Sequence, residues 1–233
     1  WVVAIMSNLM AFDTVFEQCS IALLADGTVI YEQTVPGGRG QTEIVLSLVD
    51  EALSQTNIKL SNIDCLAFNR GPGAFSGIRI NTAVVQALSV AHETLCVGVS
   101  SLTALADTAH QIHRFAESSY ITAVMDARQN QVYAGNFMIK HDNIQPIVDI
   151  SNVYGNEFLV DYGSTMPADI IVGDGVSLIN TNANIKLKIQ PTASDIARLA
   201  WGEYQQGHAV RAEHALPVYL RDNAWKTLAE QGK

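Results

Sequence analysis

Asn-Arg-Gly-Pro-Gly-Ala-Phe-Ser-Gly-Ile-Arg-Ile, residues 69–80, joins a short apolar segment at residues 63–68 to a longer segment rich in Ala, Val and Leu. The pattern predicts a buried strand, a glycine-rich loop and the start of a helix. Gly71, Gly73 and Gly77 permit backbone angles and close approaches that a Cβ atom would obstruct. The free N–H groups at the start of such a helix point back at the loop, which suits an anion. A tight turn that lets strand and helix pack closely explains the same glycines, so both interpretations stay open.

The composition is that of a globular protein without a nucleic-acid-binding surface of its own. Of the 233 residues, 48% are hydrophobic and 16% are charged, enough for a proper core. The formal net charge is −9. Because binding to a phosphate backbone depends on clustered Lys and Arg, we expect any contact with nucleic acid to be made through a partner.

The cysteines and the apolar segments limit the cellular setting. Cys19, Cys65 and Cys96 are odd in number and far apart, which predicts buried thiols rather than disulfides or a zinc site. No segment approaches the roughly 20 apolar residues that span a bilayer. The apolar start at residues 1–11 lacks the basic region of a signal peptide. We therefore expect a reducing compartment and no membrane anchor.

The first hundred residues predict three strands followed by alternating helices and strands. The second and third strands are separated by Asp26 and Gly27, a strong hairpin signal. The first helix carries one apolar stripe at helical spacing. The predicted elements are strands at residues 9–14, 18–25, 28–35, 63–68 and 95–99 and helices at residues 41–56 and 76–92.

The remaining chain predicts the same order again. The predicted elements are a helix at residues 101–116, strands at 120–126, 131–139 and 144–150, a helix at 156–162, a strand at 170–172 and a helix at 192–206. Three strands and then alternating helices and strands, twice over, is the α/β layout of the duplicated actin-like ATPase fold (ASKHA, ribonuclease H-like). We therefore predict two βββαβα-type domains, at residues 1–100 and 101–233.

Two acidic residues follow predicted strands where actin-like ATPases hold their nucleotide. Asp13 ends the first strand, but no glycine follows it and Glu17 would repel a phosphate, so a capping role is the alternative. Asp174 lies between two glycines, where an ordinary turn is the alternative. The candidate, vestigial nucleotide site consists of Asp13, Gly71, Gly73, Gly77 and Asp174.

Other kinds of site have little support in the sequence. Asp107, His110 and His113 share a helix face, but a polar face explains them and we predict no metal site. Asp126 and Arg128 end a strand and predict a local salt bridge. A serine-hydrolase elbow with plausible His and Asp partners is not found.

The glycine loop also resembles a family signature. Residues 71–80 resemble the signature Gly-Pro-Gly-Ser-Phe-Thr-Gly-x-Arg-Ile of the TsaB (YeaZ) family, with Ala74 and Ser76 in place of Ser and Thr. Further stretches resemble the family in the same order, from about residue 9 to residue 225; they lie at residues 11–14, 97–102, 125–128 and 216–221. The segment entering the first helix, residues 39–42, departs from the family because it lacks a His.

The resemblance implies a non-catalytic scaffold or activator in bacterial tRNA threonylcarbamoyladenosine modification of ANN-decoding tRNAs. Such proteins pair with the catalytic TsaD subunit and the ATPase TsaE, form a homodimer alone, and meet tRNA only indirectly. A cytoplasmic protein is implied, with no intrinsic cofactor and ATP or ADP only at an interface with its partners. The implied partner-binding residues are Ile44, Val45, Leu48, Val49, Ala83 and Ala87.

Two alternatives remain at this point. An actin-like kinase or ATPase would use Asp13, the glycine loop and Asp174, and its ATP hydrolysis would be lost in Asp13→Ala. A glycoprotease-like metallopeptidase is less well supported, because the sequence offers no set of metal ligands.

Overall fold

The computed structural model describes residues 7–38, 40–147 and 156–221. In the first half of the chain the strands are β1 (Asn8–Asp13), β2 (Gln18–Ala25), β3 (Thr28–Pro36), β4 (Cys65–Gly71) and β5 (Leu95–Ser100), and the helices are α1 (Gln41–Thr56) and α2 (Phe75–His92). The elements that follow are α3 (Ser101–His113), β6 (Tyr120–Arg128), β7 (Gln131–Lys140), β8 (Asn143–Pro146), β9 (Glu157–Asp161), β10 (Ile170–Val172), β11 (Ile185–Leu187) and α4 (Ala193–Gln205).

The two sheets repeat one topology. The first has the strand order β3-β2-β1-β4-β5, with antiparallel pairs on one side of β1 and parallel pairs on the other. The second has the order β8-β7-β6-β10-β11, again antiparallel on one side of β6 and parallel on the other. The predicted duplicated actin-like fold is therefore confirmed. Asp26 and Gly27 both have positive φ, as the predicted hairpin requires.

One predicted element is wrong. Residues 156–162 do not form a helix; they contain β9, which pairs antiparallel with β7. Phe158 and Val160 pack in one core cluster while Leu159 packs in another, so the segment follows the two-residue period of a strand. The predicted strand at residues 144–150 is present as β8, and its last three residues lie outside the described ones.

One helix of the second half packs on the sheet of the first half. α1 and α2 cover one face of the first sheet around Phe12 and Leu66, and α4 covers the other face around Ala11 and Ala67. α3 follows the first sheet in sequence but contributes Leu102 to the core of the second. The division at residues 100 and 101 stays a prediction: α3 packs on the sheet of its own half, whereas α4 of the second half packs on the first sheet.

Apolar side chains make up the four core clusters, and the three cysteines are buried free thiols, as the sequence predicts. Among the described residues, no helix is both long and apolar enough to cross a membrane.

Candidate functional site: the strand ends, the cleft and the helix surface

Asp13 lies at the end of β1 and is completely buried. Its Oδ1 accepts a hydrogen bond from the backbone N–H of Val15 (2.8 Å), and its Oδ2 accepts one from the amide of Asn69 (3.2 Å). Burial raises the pKa of Asp13 to about 7. The Asn69 oxygen in turn accepts from Ser101 at the start of α3 (2.6 Å), so Asp13 belongs to a network that ties β1 and β4 to α3.

The glycine loop is filled by the protein's own chain. A Cβ atom on Gly77 would overlap the carbonyl oxygen of Thr14, and one on Gly73 would overlap the side chain of Val15. The Thr14 hydroxyl donates a hydrogen bond to the carbonyl oxygen of Gly77 (2.7 Å). The connection after β1 therefore lies directly against the start of α2. The close-packing interpretation accounts for Gly73 and Gly77, and a phosphate site in this loop stays a prediction.

A cleft of about 970 Å³ lies between the two halves of the molecule. Of the predicted nucleotide-site residues, Gly73 and Asp174 line it, whereas Asp13, Gly71 and Gly77 do not. The cleft also carries charged side chains from both halves; they are Glu17, Arg79, Asp126, Arg128, Lys188 and Arg221. The structure thus separates the five predicted residues, because three of them are used in packing beneath the cleft.

The carboxylate on the second half of the cleft is held in its ionised form. Burial alone would raise the pKa of Asp126, but a hydrogen bond from the Tyr162 hydroxyl (2.6 Å), a bond from the Arg128 N–H (2.8 Å) and the charge of Arg128 lower it. The Arg128 guanidinium lies 2.9 Å from Asp126 Oδ2, which confirms the predicted local salt bridge. Asp174 accepts a hydrogen bond from the Asp126 N–H (2.9 Å), the contact of an ordered turn.

Arg221 has a role that sequence reasoning missed. Its Nη2 donates to the carbonyl oxygens of Ala127 (3.2 Å) and Arg128 (3.3 Å) and to the side chain of Gln131 (2.9 Å). It thereby fixes the turn between β6 and β7, whose residues 128–130 all have positive φ. In the sequence, residues 125–128 and 216–221 both resemble family motifs. The local sequence around either stretch does not show that the two are in contact.

An aromatic group stands at the rim of the cleft. The rings of Phe75 and Tyr219 lie 5.8 Å apart, and the Arg79 guanidinium lies 3.8 Å above the Phe75 ring. Both aromatic side chains are exposed. Phe75 and Arg79 belong to the glycine signature, so the exposed part of that signature faces the cleft rim while Gly71 and Gly77 are buried.

Two of the three candidate metal ligands on α3 are paired with other side chains. Asp107 forms an ion pair with Arg198 of α4, and His110 Nε2 lies 3.1 Å from Asp142. The interpretation as a polar surface face is wrong for both, because Asp107 and His110 are buried. A search of the described residues finds no group of three or more His, Cys, Asp or Glu side chains that could hold a metal.

The predicted partner-binding residues fall into two groups. Val45, Leu48 and Val49 are buried in the core beneath α1, so they cannot contact a partner while the protein is folded, and that part of the prediction is wrong. Ile44 is half-buried, and Ala83 and Ala87 are exposed on α2. Val90, one turn further, is 71% exposed. A contact role for the exposed residues stays a prediction.

Comparison with known proteins places the chain in a family. Residues 30–167 match the family model described as TsaD, tRNA N6-adenosine threonylcarbamoyltransferase. The tRNA threonylcarbamoyladenosine biosynthesis protein TsaB of Escherichia coli (strain K12) is 31% identical over 231 residues, which cover 95% of this chain and 98% of that protein. The chain belongs to the TsaB family.

Other members of the TsaB family agree over nearly the whole length. The TsaB protein of Haemophilus influenzae is 29% identical over 239 residues, covering 95% of this chain and 97% of its own. A solved structure described as YeaZ from Pseudomonas aeruginosa superposes with a TM-score of 0.80 at 31% identity, covering 92% of this chain and all of that one. The TsaB resemblance seen in residues 71–80 is confirmed.

Proposed function

We propose that this chain is a non-catalytic scaffold or activator subunit in the biosynthesis of threonylcarbamoyladenosine in tRNA, working with a TsaD-type catalytic subunit. Its TsaB relatives, named as biosynthesis proteins of that modification, support the pathway. The net charge of −9 supports contact with tRNA through the partner rather than directly. We place the protein in the cytoplasm, where that chemistry would meet tRNA.

The observation that carries the non-catalytic assignment is the filled glycine loop. A phosphate at this place would need the first N–H groups of α2 and space in front of them. Thr14 and Val15 pack against Gly77 and Gly73 beside that space, so these glycines serve the contact between the connection after β1 and α2. Asp13, which would hold a magnesium ion in an ATPase of this fold, is buried and has its pKa raised to about 7. Any ATP or ADP would therefore bind where this chain meets its partners.

The partner surface in this proposal is the exposed face of α2. Ala83, Ala87 and Val90 follow one another at helical spacing on that face, and their small or apolar side chains would allow close approach of a helix. Leu46 on α1 is also exposed. We propose that TsaD covers this surface in the complex, that a second copy covers it in a homodimer, and that a TsaE-type ATPase joins the TsaD-bound form.

The test is size-exclusion chromatography with light scattering, on this chain alone and mixed with TsaD from the same organism. We expect a homodimer that converts to a one-to-one complex. Val90→Glu should abolish the complex, while Ile112→Glu, at another exposed apolar position on α3, should leave it intact. Val45→Asp is unsuitable as a test because its buried charge would unfold the protein.

Two outcomes would overturn the proposal. The first is the absence of any complex with and without ATP. The second is ATP hydrolysis by the isolated chain that is lost in Asp13→Asn, which would instead establish an actin-like ATPase.

A further inference from the structure

We propose that a second cavity, at the open edge of β5, binds a small monocarboxylate with a short apolar body through Arg70. The cavity has a volume of about 430 Å³ and is bounded by β4, β5, α3, α4 and the segment at residues 208–216. It shares no lining residue with the cleft between the halves. Its volume lies within the range of small-molecule sites. The inference does not depend on the proposed function.

Arg70 is the charged group of this cavity. Its side chain is half-buried, its Nε is completely buried, and within the described residues its guanidinium forms neither a hydrogen bond nor an ion pair. A Cβ atom on Gly98 would lie 3.2 Å from Cδ and 3.3 Å from Cβ of Arg70, so the stem of Arg70 runs across Gly98 toward the edge of the sheet. The charge of Arg70 acts on nearby Glu157 without forming an ion pair with it, so a partly buried guanidinium still has donors that an anion in the cavity would satisfy.

The backbone of β5 supplies a second donor beside Arg70. The N–H and carbonyl of Cys96 exchange hydrogen bonds with Val210 (2.7 and 2.8 Å), so Cys96 faces away from β4. Successive residues of a strand alternate in direction, so the N–H of Gly98 also faces away from β4. After Val210 the chain leaves the edge of β5, and the next backbone hydrogen bond from this segment to the sheet goes from the Val218 N–H to Arg70 O at the end of β4 (2.9 Å). The N–H of Gly98 therefore opens into the cavity.

The surrounding charges favour a monoanion over a phosphate. Burial raises the pKa of Glu157, while a hydrogen bond from Ser100 and the charge of Arg70 act in the opposite direction. Glu157 is thus close to Arg70, and Glu203, paired with His208 at 2.7 Å, lines the cavity itself. Two carboxylates near the site would repel a dianion more strongly than a monoanion.

The remaining walls of the cavity determine which uncharged part of a ligand would fit. They are apolar on both faces of the sheet edge; the residues are Phe68, Val97, Leu199, Val210 and Leu216. A carboxylate can accept two hydrogen bonds from the end of a guanidinium, and a short branched hydrocarbon chain would bury itself against these walls. The geometry thus describes a small apolar acid rather than a sugar or a nucleotide.

The test is isothermal titration calorimetry of the full chain with isobutyrate, isobutyramide and inorganic phosphate as probes. We expect isobutyrate to bind and the neutral amide of the same shape not to bind. Arg70→Met should weaken isobutyrate binding about ten- to a hundredfold, the usual weight of a hydrogen bond to a charged group. Arg79→Met, which removes an arginine of the same signature outside this cavity, should leave the affinity unchanged.

A second variant keeps the proposal open to contradiction if Arg70→Met fails to fold. Thr103→Leu reduces the space from the α3 side and leaves Arg70 in place, and we expect it to abolish binding while thermal unfolding stays near that of the unmodified chain. The proposal is overturned if isobutyrate does not bind at millimolar concentration, if the amide binds equally well, if phosphate binds in its place, or if either variant binds normally. None of these results affects TsaD binding, which the chromatography measures separately.

Discussion

Asp13 and Asp126 stand at matching places in the two sheets, yet in opposite electrostatic surroundings. Each lies near the carboxyl end of the strand that has one antiparallel and one parallel neighbour. Each accepts a hydrogen bond from the backbone N–H two residues further on. Burial raises the pKa of Asp13 to about 7, whereas at Asp126 the hydrogen bonds and the charge of Arg128 outweigh burial and lower the pKa.

The difference comes from the residues that follow each carboxylate. Val15 and Phe16 turn inward and join the core beside the start of α2. Arg128 turns outward, and its side chain is largely exposed. The turn after β1 is therefore packed into the core, whereas the turn after β6 keeps the charged Arg128 side chain on the cleft. Equivalent topology thus fixes where a carboxylate lies and leaves its ionisation to its neighbours.

The largest expected effect comes from a substitution that disrupts the packed turn after β1. Gly77→Val should lower the free energy of unfolding by more than about 4 kcal/mol, because its side chain would overlap the backbone of Thr14. Chemical denaturation followed by circular dichroism measures it. Gly202→Ala in α4 is the matched control: nothing lies within 4 Å of a Cβ there, and the variant should be as stable as the unmodified chain or up to about 1 kcal/mol more so. A mild effect at Gly77 would mean that the turn after β1 moves away easily.

The second prediction concerns the pH dependence that Asp13 imposes. Because its folded pKa is raised from 3.8 to about 7, the folded state holds the proton more tightly than the unfolded state. The free energy of unfolding should therefore fall by up to about 4 kcal/mol as pH rises from about 4 to about 7. Asp13→Asn should remove this fall.

The readout for Asp13 is the difference in slope between the two proteins, since Asn69 must reorient in the variant and the absolute stability will shift as well. Equal slopes from pH 4 to 7 would show that Asp13 is already ionised in that range.

The third prediction, Tyr162→Phe, concerns the turn after β6, where Asp126 lies. Loss of the hydroxyl that donates to Asp126 should raise the pKa of Asp126 toward its ordinary value, as followed by NMR titration of the carboxyl carbon. The pH dependence of stability at Asp126 has the opposite sign to that at Asp13. A lowered pKa stabilises the folded state above the ordinary pKa of an aspartate, and this stabilisation is lost as the pH falls through the pKa of the folded state. Tyr31→Phe, far from the cleft, is the control, and an unmoved Asp126 would contradict the assignment.

The smallest expected effect is at the only charged contact we assign across the cleft among the described residues. Glu17 Oε1 and Arg128 Nη2 lie 3.9 Å apart, and both side chains are more than three-quarters exposed. Glu17→Gln should change the free energy of unfolding by less than about 0.5 kcal/mol, because exposed pairs are screened by water and salt. A larger change in a thermal melt at low salt would show that this pair holds the halves together.

Local patterns were sufficient for most of the fold. The Asp26 and Gly27 hairpin, the glycine loop and the helical periodicities all act over a few residues, and those predictions are confirmed. The error at β9 arose because Phe158 and Val160 alternate over a segment too short to distinguish from a helix turn. The sequence also could not show whether the apolar stripe of α1 faces a partner or the core. Val45 faces the core because α1 packs on the first sheet.

The site depended on contacts that no local pattern contains. Asn69 reaches Asp13 across 56 positions, and Arg221 reaches the β6–β7 turn across more than 90. Arg70 was part of the quoted signature, but only the structure shows that its stem lies against Gly98 and that its guanidinium makes no hydrogen bond or ion pair with the other described residues.

Because α4 of the second half covers one face of the first sheet, neither half has a complete core of its own. A fragment ending after β5 would leave Ala11, Ala67 and Val97 facing water where α4 now covers them. Neither fragment would then hold its shape, and heating should melt both sheets in one cooperative step. An insertion at residues 100 and 101 is accordingly harmful, although it falls between the two repeats of the topology.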